Sequence, residues 1–202
     1  MTRLDVRTIR RNLVGMDGAF LTGQMLIAMP GIGDPRFERS LILICAHDAD
    51  HAMGLAVNRP AGDLSIAGLL ARLEIKASAR LDDEPVLLGG PVEMERGFVL
   101  HTSDFQGEHS LNIPGDLTLT TTRQALEALS EPDQRPRRAI LALGYAGWGA
   151  GQLEREIRQN VWLTVEADED LVFDNDYAGK WTRALGKLGV DPRFLTHEGG
   201  RA

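Results

Sequence analysis

The chain has a single cysteine among 202 residues, Cys45, so no disulfide can staple its fold from within. A lone thiol also suits a reducing compartment. No apolar run approaches the ~18–20 residues that span a bilayer; the longest comparable stretch is residues 41–46. Cations are scarce, with 22 Lys+Arg against 29 Asp+Glu and a formal net charge of −7. That balance argues against a body built to bind nucleic acid or anionic membranes broadly. There is no internal repeat and no low-complexity tract. The phosphate-loop pattern G-x-x-x-x-G-K-[ST] and the G-x-S-x-G nucleophile elbow are both missing. What remains is ordinary for a globular protein: 43% apolar and 25% charged residues, enough to bury a core in one domain.

The charge is uneven. Residues 1–11 carry Arg3, Arg7, Arg10 and Arg11 against Asp5, a local +3 that leaves −10 for the remainder. On a helix the four arginines would fall within ~100° of one another, a basic stripe suited to phosphate. Chain ends are more often solvated, so we read residues 1–20 as a flexible basic arm and residues 21–202 as one domain. The arm lacks the apolar core of a secretory signal, which places the protein in the cytoplasm.

Patterning along the chain predicts an α+β fold: a mixed β-sheet or flattened barrel-like core flanked by several short helices. Residues 25–30 read as a short buried strand, and 41–45, continuously apolar, as a central strand covered on both faces. Further strands are expected at 53–57, 86–88, 97–101, 117–120, 139–143 and 161–165. The 117–120 strand, Leu-Thr-Leu-Thr, alternates and should have one wet face. Ser65 before Ile66, Leu69, Leu70 and Leu73 predicts a capped amphipathic helix. Thr121 with Gln124 gives a capping-box pattern for a second. After the glycines of 144–151, a third would turn Leu153 and Ile157 inward and pair Glu154 with Arg158 outside. The last would place Trp181, Leu185 and Leu188 on one face. The six acids of 166–176 read as a solvated surface, since their spacing fails the calcium-loop pattern.

Read in order, the landmarks form a series. They are Gly23-Gln24, Met29-Pro30, Asp34-Pro35-Arg36-Phe37, Ile44-Cys45-Ala46-His47, Ala52-Met53-Gly54 and Asn58-Arg59-Pro60. Leu88-Gly89-Gly90-Pro91-Val92 and Gly97-Phe98-Val99-Leu100-His101 follow. Gly144-Tyr145-Ala146-Gly147-Trp148, Gly151-Gln152-Leu153-Glu154 and Asn160-Val161-Trp162-Leu163 close it. This colinear series, over about residues 21–190, resembles the bacterial YqgE/AlgH family. The resemblance implies a compact cytosolic α+β protein. Some members are described as transcriptional regulators. It carries over no catalytic residue.

Four groups of residues could hold chemistry. Cys45 and His47, two apart on a strand, would share a face, where an imidazole could lower a thiol's pKa. With His51 and His101 they could approach a zinc set, but a core cysteine with a hydrogen-bonded His47 is the simpler reading, and no metal or cofactor is expected. Gly147, Trp148 and Gly149 lie in a glycine-rich stretch before a helix, where backbone N–H groups could meet an anion or simply allow a tight crossover. Asn58, Arg59, Gly89, Gly90 and His101 could converge on a pocket, with Arg59 reading a carboxylate or phosphate. The acids near residue 174 are the fourth. With no complete catalytic motif, the expected function is non-enzymatic binding of a protein partner or a small anionic ligand, with an indirect role in transcription and no direct DNA binding. The alternative is an enzyme on a phosphorylated or carboxylated metabolite that uses Cys45 or His101.

Overall fold

The computed structural model describes residues 20–76, 81 and 84–195. The arginines of the N-terminal arm lie outside the described residues. Ten strands build the sheet: β1 (Gln24–Ala28), β2 (Leu41–His47), β3 (His51–Ala56), β4 (Pro60–Ser65), β5 (Pro85–Leu88), β6 (Val92–Thr102), β7 (Leu111–Ile113), β8 (Leu117–Thr120), β9 (Ala139–Gly149) and β10 (Trp162–Glu166). Their spatial order is β10-β1-β2-β3-β9-β6-β8-β7, and β5 attaches to β9 and carries β4. Every ladder is antiparallel except β5–β9, so the sheet is mixed, as expected. It curls into a half-barrel in one domain. A Cβ added to Gly23, just before β1, would stand 2.9 Å from Pro114, just after β7.

Alternation along β1 and β2 divides the core. Met25, Ile27, Leu41, Leu43 and Cys45 face the inside of the curl, with Phe98, Leu100 and Leu119. Leu26, Ile42 and Ile44 face outward onto Trp148, Leu153 and Trp162. The outward layer is covered by α3 (Gln152–Arg158). A third cluster joins β6 and β9 to α1 (Ile66–Arg72) and α2 (Arg123–Ser130). One end of the curl is plugged by α4 (Glu169–Phe173) and α5 (Tyr177–Lys187), through Val172, Phe173, Trp181 and Leu185. Ser65 caps α1 as its position predicts, its Oγ accepting from Gly68 N–H at 3.1 Å.

Several local expectations are corrected. The 117–120 strand has no wet face; its threonines are buried with polar partners, Thr120 on His101 and Thr118 on Ser103 and Asn112. The second helix is not closed by a capping box: its N-cap is Thr122, without a side-chain cap, and Gln124 instead accepts from Glu108 N–H. Glu154 turns to His47 rather than Arg158. The acids of 166–176 are working caps as well as surface: Asp168 caps α4, Asp176 caps α5, and Asp174 and Asp176 pair with Arg183. β9 does not stop at residue 143. It bends at Gly144 (φ +69) and runs on to Gly149, so that β3 can pair with its second half. β4 lacks the apolar alternation that would have announced it, and β7, Leu111-Asn112-Ile113, alternates over too few residues to be read as a strand.

Candidate functional site

A polar-rimmed opening lies at the end of the curl opposite α5, where β2 ends and β3 begins. It is a cleft of about 590 Å³, within the range that holds a small organic ligand. Met53, Phe98, Leu119 and Tyr145 supply apolar walls, and His51, Arg96, His109 and Thr121 supply polar ones. Among the described residues no Asp or Glu lines it. The two carboxylates beside it, Glu93 and Asp48, are each paired, with Arg96 and with His51.

The mouth is built by an irregularity. On β6, Val92 pairs with Tyr145 and Gly97 with Leu143, so residues 93–96 have no ladder partner on β9. They form an exposed flap with Met94 at 56% exposure and Glu93 in the left-handed region (φ +47). Four side chains close a ring there. Arg96 lies over the Phe98 ring, 5.3 Å from its centroid. Phe98 meets Tyr145 edge-on at 5.8 Å. The Tyr145 hydroxyl donates to Glu93 Oε1 at 3.4 Å, and Arg96 Nη1 donates to Glu93 Oε2 at 3.0 Å. Gly147 leaves room beside this ring; a Cβ there would come within 3.3 Å of Tyr145 Cε2.

The histidine and cysteine candidates lie apart. A bulge between Ile44 and Ala46 breaks the alternation of β2, so Cys45 faces the inner core while His47 reaches α3 on the outer side. The expectation of a shared face is therefore corrected. Burial pushes the Cys45 thiol up to about 12. His47 Nδ1 accepts from Leu21 N–H at 2.9 Å, which leaves its proton on Nε2, donated to Glu154 Oε1 at 2.9 Å. Both ring nitrogens are engaged. His101 is fully buried. Its Nδ1–H donates to Thr102 O at 2.8 Å, and its Nε2 accepts from Thr120 at 2.9 Å. Burial holds its pKa below the ordinary value. Of the histidines weighed for zinc, His51 lines the cleft and pairs with Asp48 instead. No group of three potential metal ligands occurs among the described residues.

The remaining candidates are spent on the fold. Asn58 straps one turn to another, accepting from Leu41 N–H at 2.8 Å and donating to Arg39 O at 2.9 Å. Arg59 donates to Glu38 O at 3.2 Å. Among the described residues Asn58, Arg59 and His101 share no hydrogen-bonded partner. Gly89 and Gly90 are pressed against the β9 backbone, where Cβ atoms would stand 2.2 Å from Gly144 O and 2.1 Å from Tyr145 C. Gly149 N–H donates to Gln152 Oε1. Only Gly147 and Trp148 of that set line the cleft.

Sequence reading missed two features. Glu156 gathers both outer-layer indoles, accepting from Trp148 Nε1 at 2.9 Å and Trp162 Nε1 at 2.7 Å. Lys180 is fully buried and donates to Val57 O at 2.9 Å and Val172 O at 2.6 Å. Burial pulls its ammonium down to about 7. No helix among the described residues is long and apolar enough to cross a membrane.

The chain matches a family model described as AlgH-like over residues 25–193. It is 56% identical over 187 residues to a UPF0301 protein of Caulobacter vibrioides, covering 92% of this chain and 96% of that one. A UPF0301 protein of Rhodospirillum rubrum is 50% identical over 183 residues, with 91% and 95% covered. The solution structure of the AlgH protein from Pseudomonas aeruginosa superposes with a TM-score of 0.74 at 37% identity, covering 92% of this chain and 98% of that one. A crystal structure from Corynebacterium diphtheriae, 18% identical with a TM-score of 0.71, shares the fold. The curled sheet, the ordered motifs and these likenesses agree, and the chain belongs to the bacterial AlgH-like family.

Proposed function

We propose that this protein is a non-catalytic binding protein of the bacterial cytoplasm, and that its binding site is the cleft at the open end of the half-barrel. The observation that carries this reading is the separation of chemistry from cavity. Among the described residues the cleft has apolar walls and a polar rim that holds His51 and His109 but no cysteine or serine, whereas the three residues singled out for chemistry, Cys45, His47 and His101, are tied into the fold elsewhere. A nucleophile needs a neighbouring base within hydrogen-bond reach and room for a substrate. Cys45, fully buried with its thiol against Leu43 O at 3.6 Å, has neither. Any part in transcription then runs through a partner that senses the occupied cleft, since a body of this charge repels DNA.

The test uses N-phenyl-1-naphthylamine, a neutral fluorophore that brightens on leaving water. The full chain should give saturable one-to-one enhancement, lost in Ala46→Trp, which fills the cleft, at an unchanged thermal midpoint. No saturable signal, or a signal indifferent to Ala46→Trp, overturns the reading. A sequence-specific gel shift by the protein alone at physiological salt would defeat the indirect role in transcription.

A further inference from the structure

We propose that the cleft takes an organic carboxylate with an apolar body, and that Glu93 holds the place of the ligand's carboxylate in the meantime. The inference rests on the cleft being the binding site and adds the class of ligand and a device that gates it. Three observations carry it.

First, the walls offer cationic partners. Arg96, His51 and His109 line the cleft, and the two carboxylates beside it, Glu93 and Asp48, are already paired with Arg96 and His51, so an anion that displaces Glu93 meets the Arg96 guanidinium. Second, the ring at the mouth already solves carboxylate recognition once. Glu93 sets one oxygen against the Arg96 guanidinium and the other against the Tyr145 hydroxyl. A planar two-oxygen acceptor is what this donor pair satisfies, and the guanidinium fork prefers that geometry. Stacking on Phe98 holds Arg96 at the edge of the apolar wall, so a ligand's body would lie on Met53, Phe98 and Leu119 while its carboxylate met Arg96.

Third, Glu93 is placed to leave. Its side chain and that of Arg96 are 47% and 51% exposed, and an ion pair so wet adds little stability. Its backbone is left-handed without being glycine, a conformation that carries strain. The flap it sits on has no ladder bonds to β9 to break. An incoming carboxylate therefore exchanges one anion for another at Arg96 and gains the apolar contacts besides.

The experiment is an amide-resolved NMR titration of the full chain with 4-phenylbutanoate and with its neutral isostere 4-phenylbutanamide. Both should shift resonances of residues 46, 53, 92–98 and 145–148. The acid should bind about threefold to tenfold tighter, less so at high salt. Glu93→Gln should tighten the acid about twofold to fivefold and leave the amide unchanged. Arg96→Gln should erase the preference. Equal affinities for acid and amide, or a preference that survives Arg96→Gln, overturn the carboxylate proposal and leave the cleft as a binding site. If neither probe binds and N-phenyl-1-naphthylamine also fails, both readings fall. If the same resonances shift on concentrating the protein alone, the cleft belongs to a second copy, which also overturns the proposal.

Discussion

The seam between β9 and the residues leading into β6 has two halves that behave in opposite ways. At Gly89 and Gly90 the chain is pressed against the β9 backbone so closely that no side chain fits. A few residues later, at 93–96, β6 leaves β9 and exposes a flap. The first half is sealed by backbone on backbone; the second has no ladder pairs with β9 and carries the charged ring of the cleft. A fold can therefore place a crossing too tight for any side chain next to a stretch whose side chains are free to face a ligand.

The harshest way to break this contrast is Gly90→Ala. Its Cβ would stand 2.1–2.3 Å from three backbone atoms of Tyr145 and Ala146, none of which can swing aside. We expect a loss of about 4 kcal/mol or more, measured by denaturant unfolding, or failure to fold. The outer layer comes next. Glu156→Ala strands two buried indole N–H groups, and about 2–4 kcal/mol should be lost. Trp148 and Trp162 stand 6.0 Å apart, edge to face, so their fluorescence should shift even in the native baseline. Neither change should leave a folded protein with altered preference between acid and amide probes.

Much of this was legible in the sequence where one physical signal dominated. Residues 41–45 had to be a central strand because they are apolar on both faces, and Ser65 had to cap because nothing else fits its place before Ile66. Legibility failed where tertiary structure decides. Gly144 reads as the end of a strand, yet a positive φ there lets β9 bend and continue. Cys45 and His47 read as neighbours, yet one bulged residue puts them on opposite faces. Lys180 reads as the wet side of a helix, yet α5 caps the barrel end and so buries more of its circumference than a surface helix would. The cleft itself was half legible: Gly147 and Trp148 were singled out, but Arg96 was not, because its role depends on a flap that only the register with β9 reveals.

Lys180 tests the sealed end by pH. Its ordinary value of 10.5 falls to about 7 in the fold. Between those values the unfolded chain holds a proton that the folded one does not, so stability must rise with pH. The gain from pH 7 to 9 should be about 2 kcal/mol. Above 9, Cys45 opposes it, because its thiol, at about 12 in the fold against 9 ordinarily, keeps a proton that the unfolded chain loses. Stability should climb to about pH 9 and then level, in denaturant titrations at fixed ionic strength. Lys180→Met should flatten the climb. A profile flat across 7–9 in the native sequence would mean that water reaches Lys180 and the end is not sealed.

The smallest effects fall on the glycines nearest the cleft, and they sharpen the comparison most finely. Gly149 has nothing within 4 Å of an added Cβ, so Gly149→Ala should change stability by no more than about 0.5 kcal/mol. Gly147→Ala should be almost as mild, because the one close neighbour of its Cβ, at 3.3 Å, is the edge of the Tyr145 ring. That ring is part of the Glu93–Arg96–Phe98–Tyr145 circle, and a shift of a few tenths of an ångström would lengthen a hydrogen bond already at 3.4 Å. Gly147→Ala should therefore leave the thermal midpoint near that of the native chain and still change the affinity for 4-phenylbutanoate. If it moves stability and binding together, the mouth of the cleft is as tightly built as the crossing at Gly90, and the contrast between the two halves of the seam disappears.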